Sequence, residues 1–379
     1  MKTNYLLYFC DGIGSVFDSQ VLALLKVINE SNTFKKTYLF LGIRNKIQRN
    51  VLKAGKLPSE IKTVFFKTYP NYPVFNFMIR NSIQNALLNQ SINLNEAIFH
   101  TRGEMIAWHL SKILDINYYK NIIPDVRGAS VEEIEEFTDI NPFSKALKIA
   151  NYKKALRNLN NFRHISVVSD SLKDYLNVNY KIDRNKIYVT PSLAGKNFRF
   201  NEVERLRLRN ELNLKSDDKL IVFSSGGTAN WQNNDVILRL AEKGLKVLNL
   251  SQKEINHKNV INKFVSYSEI PAYLNAADAA IIWRHKSVVN KVASPVKFSE
   301  YICCGLPVIA NNSVSMISEY IQRHDCGLLI DNLANIYSKT ISDLRQKEHK
   351  KISESGILNF GVDTIVNKYL QAYLSINSL

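Results

Sequence analysis

Short apolar runs alternate with helix-length segments along almost the whole of this 379-residue chain. "YLLYF" precedes 18–30, "TYLFLGI" precedes 44–55, "TVFFK" precedes 74–89 and "AIFHT" precedes 104–114. Runs of this kind suit strands buried on both faces, and the periodic segments between them suit crossover helices, so the pattern predicts βαβ units around a parallel sheet. "YYKNIIPDV", "HISVVS" and "KIYVTPS" carry the series to residue 195. After the polar stretch "EVERLRLRNELNLKSDDK" it restarts with "LIVFSSGG", "LKVLNLS", "NKFVSY", "AAIIW", "PVIANN" and "GLLI". The length also exceeds what a single core usually supports. Two Rossmann-like domains are therefore expected, 1–195 and 196–360, with a last helix in 361–379 packing back on the first. Open α/β sheets bind ligands outside the carboxyl ends of their strands, so the expected site is a cleft between two facing domains.

One stretch is chemically denser than the rest: "SPVKFSEYICCGLPVIANN", residues 294–312. Ser294 is expected to cap a helix and Pro295 to occupy its first position, where a missing N–H costs nothing. Lys297 and Glu300 then share one helix face, while Phe298, Tyr301 and Ile302 face a core. Gly305 is expected to stop the helix, and Pro307 to lead into the strand Val308-Ile309-Ala310. An ordinary intrahelical ion pair is one reading of the two charges; a ligand grip is the other.

The net charge of +16 calls for polyanionic company, whether nucleic acid, an acidic membrane surface or phosphate-bearing small molecules. No helix-turn-helix, zinc finger or aromatic RNA-binding motif accompanies the charge, so nucleic acid is not expected. The segment 145–163 carries Lys145, Lys148, Lys153, Lys154, Arg157 and Arg163 without an acid; a solvated helix face is one reading of it and an anionic lipid surface the other. No segment reaches the roughly 20 apolar residues of a membrane span. Cys10, Cys303, Cys304 and Cys326 lack metal-ligand spacing, and the seven histidines show no ligand pattern, so buried reduced thiols and no metal site are expected. The location these features suggest is cytoplasmic, with peripheral contact at the inner face of the cell membrane.

The run "YSEIPAYLNAADAAIIWR…ASPVKFSEYICCGLPVIANNSVSMISEYIQRHDCGLLI" resembles the donor-binding half of bacterial GT-B glycosyltransferases of the large retaining family 4 type. "HTRGEMIAWHLSKILDINYYKNIIPDVRG" is similar to a strand, helix, strand and Asp-x-Arg-Gly turn of polysaccharide-building members. The resemblance implies transfer of a sugar from a nucleotide-diphosphate donor, UDP or GDP type, to a glycan or lipid-linked acceptor. It implies retention of the anomeric configuration and no cofactor or metal. It places the diphosphate at the start of the 295 helix, with Ser294, Val296 and Lys297 beside it, and a ribose on Glu300, the second glutamate of the family's Glu-x7-Glu pattern.

Three departures from that pattern stand out. Val292 replaces the first glutamate. The loop after the first strand of the second half reads "SSGGTANWQNN" without the usual Arg and Lys. Gly226 and Gly227 remain able to let backbone approach a phosphate, Trp231 to touch sugar or acceptor, and Arg284 or Lys297 to supply positive charge. Where many relatives place a histidine, the turn offers Asp125 and Arg127, which with Lys297 are the expected catalytic groups. Gly12, Gly14, His100 and Arg102, after the first and fourth strands, are expected to line the cleft. The rival readings are a catalytically silent GT-B subunit and a sugar-nucleotide epimerase.

Overall fold

Strands form where the apolar runs are unbroken, and all of them pair in parallel. The computed structural model describes residues 4–44, 57–225 and 235–377. The chain divides into two compact units, Met1–Pro191 with Val366–Leu379, and Ser192–Ile365. In the first unit β1 (Tyr5–Cys10), β2 (Lys36–Ile43), β3 (Lys62–Lys67), β4 (Ala97–Arg102), β5 (Ile122–Val126), β6 (Ile165–Val167) and β7 (Ile187–Val189) make one sheet of order β3-β2-β1-β4-β5-β6-β7. The chain runs outward from β1 in one direction and from β4 in the other. The register sets Cys10 beside Leu41 and Arg102, and Arg102 beside Asp125.

The second unit repeats the scheme with β8 (Leu220–Ser224), β9 (Lys246–Leu250), β10 (Val260–Asn262), β11 (Ala279–Ile282), β12 (Val308–Ala310) and β13 (Gly327–Leu329), in the order β10-β9-β8-β11-β12-β13. Here the order reverses between β8 and β11. In both units the reversal is a topological switch point, where helices leave in opposite directions and a crevice opens.

The starts of β8 and β11 are joined by Asp278, which is fully buried. It accepts the Leu220 N–H at 2.8 Å and meets the guanidinium groups of Arg205 at 2.5 Å, Arg345 at 3.3 Å and Arg209 at 3.4 Å. The excess positive charge is spread over carbonyls: Arg205 donates to Asn275 and Ala277, and Arg209 to Ala276. These carbonyls end the Ile270–Ala276 helix, where the helix dipole is negative.

The last helix, Val362–Asn377, belongs to the first unit from Val366 onward. Its Tyr373 hydroxyl lies 2.6 Å from His100 Nδ1, and its Tyr369 ring stands 5.0 Å from the same imidazole. All four cysteines are buried and free. Among the described residues no helix is long and apolar enough to cross a membrane.

Two expected strands differ. "NKFVSY" is a strand only at its first residue, Asn262, where β10 ends, because the Ser266 N–H and hydroxyl bond the Glu269 carboxylate and turn the chain into the next helix. In "YYKNIIPDV" the first half is a 3-10 turn, Ile116–Asn121, begun by the Asp115 carboxylate accepting the Asn117 N–H. The segment expected to be helical at 44–55 lies outside the described residues beyond Arg44.

Two consequences can be measured. Asp278→Ala leaves two buried guanidiniums, the half-buried one of Arg345 and the Leu220 N–H without this acceptor, and should cost about 3–5 kcal/mol in urea unfolding; a loss under about 1 kcal/mol would show that the carbonyls suffice alone. The second concerns His109, buried on the Glu104–Leu110 helix with neither ring nitrogen hydrogen-bonded among the described residues. Burial, helped by the nearby Arg80 guanidinium, pushes its pKa down to about 3. The unfolded chain takes up this proton near pH 6.5 while the folded one does not, so stability is complete above that pH and falls as pH drops toward 3. His109→Phe should remove a loss of roughly 2 kcal/mol between pH 7 and pH 5. Equal acid sensitivity of variant and wild type would contradict it.

Candidate functional site

Both switch points carry polar chemistry, and they differ in kind. In the second unit, helix Val296–Cys303 begins beside the carboxyl ends of β8 and β11. It ends on Gly305, at φ 78°, whose N–H donates to the Ile302 carbonyl while the Leu306 N–H reaches Tyr301. This doubly bonded left-handed end fixes the helix, and a Cβ at Gly305 would collide with the His349 carbonyl. Phe298, Tyr301 and Ile302 are fully buried, and the Tyr301 hydroxyl accepts the Ser224 N–H at 2.8 Å, which ties the helix to the end of β8.

At the free end Lys297 Nζ lies 2.7 Å from Glu300 Oε2. The lysine is partly exposed and the glutamate fully buried. Glu300 Oε1 has no hydrogen-bond partner among the described residues. A buried carboxylate oxygen without a donor costs free energy that a ligand hydroxyl would recover. Arg284, just past β11, lines the same hollow as Lys297, Ser224 and Trp283. Its peptide is held on both sides by Asn311, at 3.2 Å and 2.7 Å, and its guanidinium donates to Asn290 at 3.1 Å. Burial lowers its pKa to about 10, against a smaller opposing effect of Tyr301, so it remains a cation at neutral pH.

In the first unit the strand ends surround a cavity of about 680 Å³. Gly12, Gly14, Arg102 and Arg127 line it, together with Asp11, Arg44, Glu104, Glu133 and Tyr152. A Cβ at Gly12 or Gly14 would meet nothing within 4 Å, so open space lies over both. Glu104, buried, accepts the Ser130 hydroxyl at 2.5 Å, and burial raises its pKa despite that bond. Burial likewise raises the Glu133 carboxyl, with Lys148 opposing.

His100 and Asp125 lie beneath this cavity and do not line it. Asp125 accepts the Ser166 hydroxyl at 2.9 Å, faces Arg127 at 3.4 Å and stands 3.7 Å from His100 Nε2. Burial works to raise its pKa, but Arg127, His100 and Arg102 outweigh it and hold the carboxyl below the ordinary range. Burial lowers the His100 pKa, with Asp125 opposing. The expectation that His100 lines a cleft is thus corrected: the residue is fully buried between Tyr8, Tyr369 and Tyr373, because β4 is a central strand that continues two residues past it, to Arg102 at the cavity.

Ser294 is corrected as well. Pro295, not Ser294, is the residue that precedes the helix, and the Ser294 hydroxyl instead accepts the Ser192 N–H at 2.9 Å. The Ser192 hydroxyl donates to the Ser294 carbonyl at 2.6 Å, and the Ser299 hydroxyl to the Ser192 carbonyl at 2.7 Å. Ser294 is therefore a tether for residue 192. Val296 is half-buried at the helix start, and Val292 is buried. Gly226, Gly227 and Trp231 lie outside the described residues. Asp11, Arg44, Glu104 and Tyr152 were missed by sequence reasoning; the first three follow or end strands of the series, a position that itself marks a crevice residue.

Two parallel sheets with helices and a switch point in each define the class of fold: the GT-B architecture of glycosyltransferases. The particular likenesses are these. Residues 225–362 match the family model of the glucosyltransferase 3-like C-terminal domain. A glycosyltransferase from Rickettsia africae superposes at TM-score 0.72 with 14% identity, over 100% of this chain and 99% of that one. WaaG, a glycosyltransferase involved in lipopolysaccharide biosynthesis, superposes at TM-score 0.68 with 12% identity over 98% of each chain. HepE of Anabaena, in complex with UDP-glucose, superposes at TM-score 0.68 with 13% identity over 98% of this chain and 99% of that one. No curated protein matches the chain by sequence.

The tether predicts a stability effect at a position that caps nothing. Ser294→Ala removes the acceptor of the buried Ser192 N–H and should cost about 1–3 kcal/mol in chemical unfolding. A change within experimental error would mean that water replaces the hydroxyl.

Proposed function

We propose that the chain is a glycosyltransferase of the retaining family 4 type, moving a sugar from a nucleoside diphosphate donor to a glycan or lipid-linked acceptor in the building of a cell-surface polysaccharide. The observation that carries this reading is the unmatched Oε1 of Glu300, buried beside Lys297 at the switch point of the second unit. A ribose diol has the donors that oxygen lacks. The first two N–H groups of the Val296–Cys303 helix, those of Val296 and Lys297, precede its first backbone bond, from the Phe298 N–H to the Pro295 carbonyl, and suit a diphosphate, aided by the helix dipole. The UDP-glucose bound by the Anabaena neighbour supports a uridine nucleotide, and the family match over 225–362 supports a donor site in this unit.

Negative charge builds on the diphosphate as the bond from sugar C1 to phosphate oxygen breaks. Lys297, Arg284 and the helix N–H groups oppose that charge. The acceptor oxygen forms the new bond to C1 on the same face, and its proton passes to a phosphate oxygen of the departing nucleotide. This route needs no side-chain base and no divalent metal. Among the described residues no group of three or more His, Cys, Asp or Glu side chains is placed to hold a metal. The polar cavity of the first unit, with Arg102 and Arg127 on its wall, is the proposed acceptor site. Asp125 orients Arg127 there from below.

A thermal-shift series with UDP, GDP, ADP and CMP tests the donor site. The matching nucleotide at 100 times its dissociation constant should stabilise the protein by about 2.7 kcal/mol. Glu300→Ala and Lys297→Ala should each weaken that nucleotide at least about tenfold with unchanged circular dichroism, and transfer should proceed in excess EDTA. Unchanged affinity in both variants would sink the assignment, and no response to any nucleotide would favour a silent subunit.

A further inference from the structure

The first unit carries an apolar surface that neither sheet nor cavity uses. Val74, Phe77 and Phe143 are exposed by 75%, 70% and 74%, and Leu147 is exposed as well. Val74 and Phe77 flank the start of helix Asn76–Leu88, and Phe143 and Leu147 lie on helix Pro142–Asn158. The two helices are locked together here. Asn76 and Asn151 exchange side-chain hydrogen bonds at 2.9 Å and 3.1 Å, Asn151 also donates to the Asn71 carbonyl, and Asn71 donates to the Tyr152 hydroxyl at 3.0 Å. Leu147 is one turn from Asn151 on the same side of its helix, so these apolar side chains border one seam.

The outer stripe of helix Pro142–Asn158 is amphipathic along its length. Phe143, Leu147 and Ala150 form its first half, and Lys154 and Arg157, both exposed, continue it at helical spacing. Lys145 and Lys148 do not belong to this stripe. Lys145 donates to the Glu135 carbonyl at 3.1 Å, and Lys148 acts on Glu133, so both lean toward the preceding helix. The surrounding sequence has one sign of charge: no Asp or Glu occurs in 61–95 or in 142–163. An exposed apolar strip continued by lysine and arginine, with acids missing from both contributing segments, fits a surface that is apolar inside and anionic outside.

We propose that this seam is a docking face for an anionic lipid bilayer, with Val74, Phe77, Phe143 and Leu147 entering the headgroup boundary and Lys154 and Arg157 on the phosphates. The docking does not depend on the transfer reaction. It does explain how a lipid-linked substrate would reach the first unit, since Tyr152, bonded to Asn71 at the seam, also lines the 680 Å³ cavity.

Flotation of the full chain with vesicles of phosphatidylcholine alone, or with about one third phosphatidylglycerol, decides the matter. Wild type should float with the anionic vesicles at low salt and much less with neutral ones. Each phosphate-facing cation is worth roughly a fivefold change in partition, so Lys154→Glu with Arg157→Glu should lower binding at least about tenfold. Phe77→Ser with Phe143→Ser should lower it at least about fivefold while melting temperature and nucleotide response stay as in wild type. Equal flotation with neutral vesicles, no flotation at all, or variants that bind like wild type would overturn the proposal. So would size-exclusion profiles in which wild type is a dimer and the apolar variant a monomer, since a second copy would then cover the face. Nucleotide stabilisation retained in both variants separates this outcome from any failure of the donor site.

Discussion

Asp278 governs the second unit from the end opposite its chemistry. By holding the first residues of β8 and β11 to one carboxylate, it sets the stagger of the two strands that diverge at the switch point. Neither strand exceeds five residues, so a displacement at their start would appear at Ser224 and Arg284 almost undiminished. A buried anion is normally a cost; here three guanidiniums surround it, and helix-end carbonyls absorb their surplus. The helix Glu202–Glu211 supplies two of the three, which ties the segment entering this unit to its sheet before any ligand contact is made.

In the first unit the polarity lies at the other end of the sheet, toward the cavity. Charges of both signs ring its cavity, while the buried His100, Asp125 and Ser166 form a polar layer under the carboxyl ends of the strands. Its bonds run between Asp125 and Ser166 and outward to Tyr373, Thr190 and Arg127. A guanidinium such as Arg127 is thereby held from beneath while its outer edge faces the cavity, an arrangement that suits recognition of hydroxyl-rich or anionic groups.

Much of this architecture was legible in order but not in detail. Alternating runs announced two parallel sheets because strands buried on both faces leave a continuous apolar signature. The helix of 296–303, its core face and its glycine stop were readable because each depends on neighbours within a few residues. Ser294 was misread because a serine before a proline has the local look of a cap, whereas its true partner lies 102 positions away in the chain. Asp11 and Glu104 escaped for a related reason: single acids after strands carry no spacing signal, and only the sheet order brings them to one cavity. His100 was read as facing ligand because the apolar run ends before it, yet β4 continues to Arg102, which reaches the cavity from the same face while His100 stays buried within the sheet.

The last helix has a consequence for how the protein is made. Tyr369 and Tyr373 close over His100 and complete the interior of the first unit, but they leave the ribosome only after the whole of the second unit has done so. Synthesis is slow compared with the docking of a helix, so for most of its birth the first unit waits with one wall open while the second is still emerging. The two units are thus finished in the reverse of their order in the chain. A nascent protein of this kind passes through a stage in which its second half is whole and its first half is not.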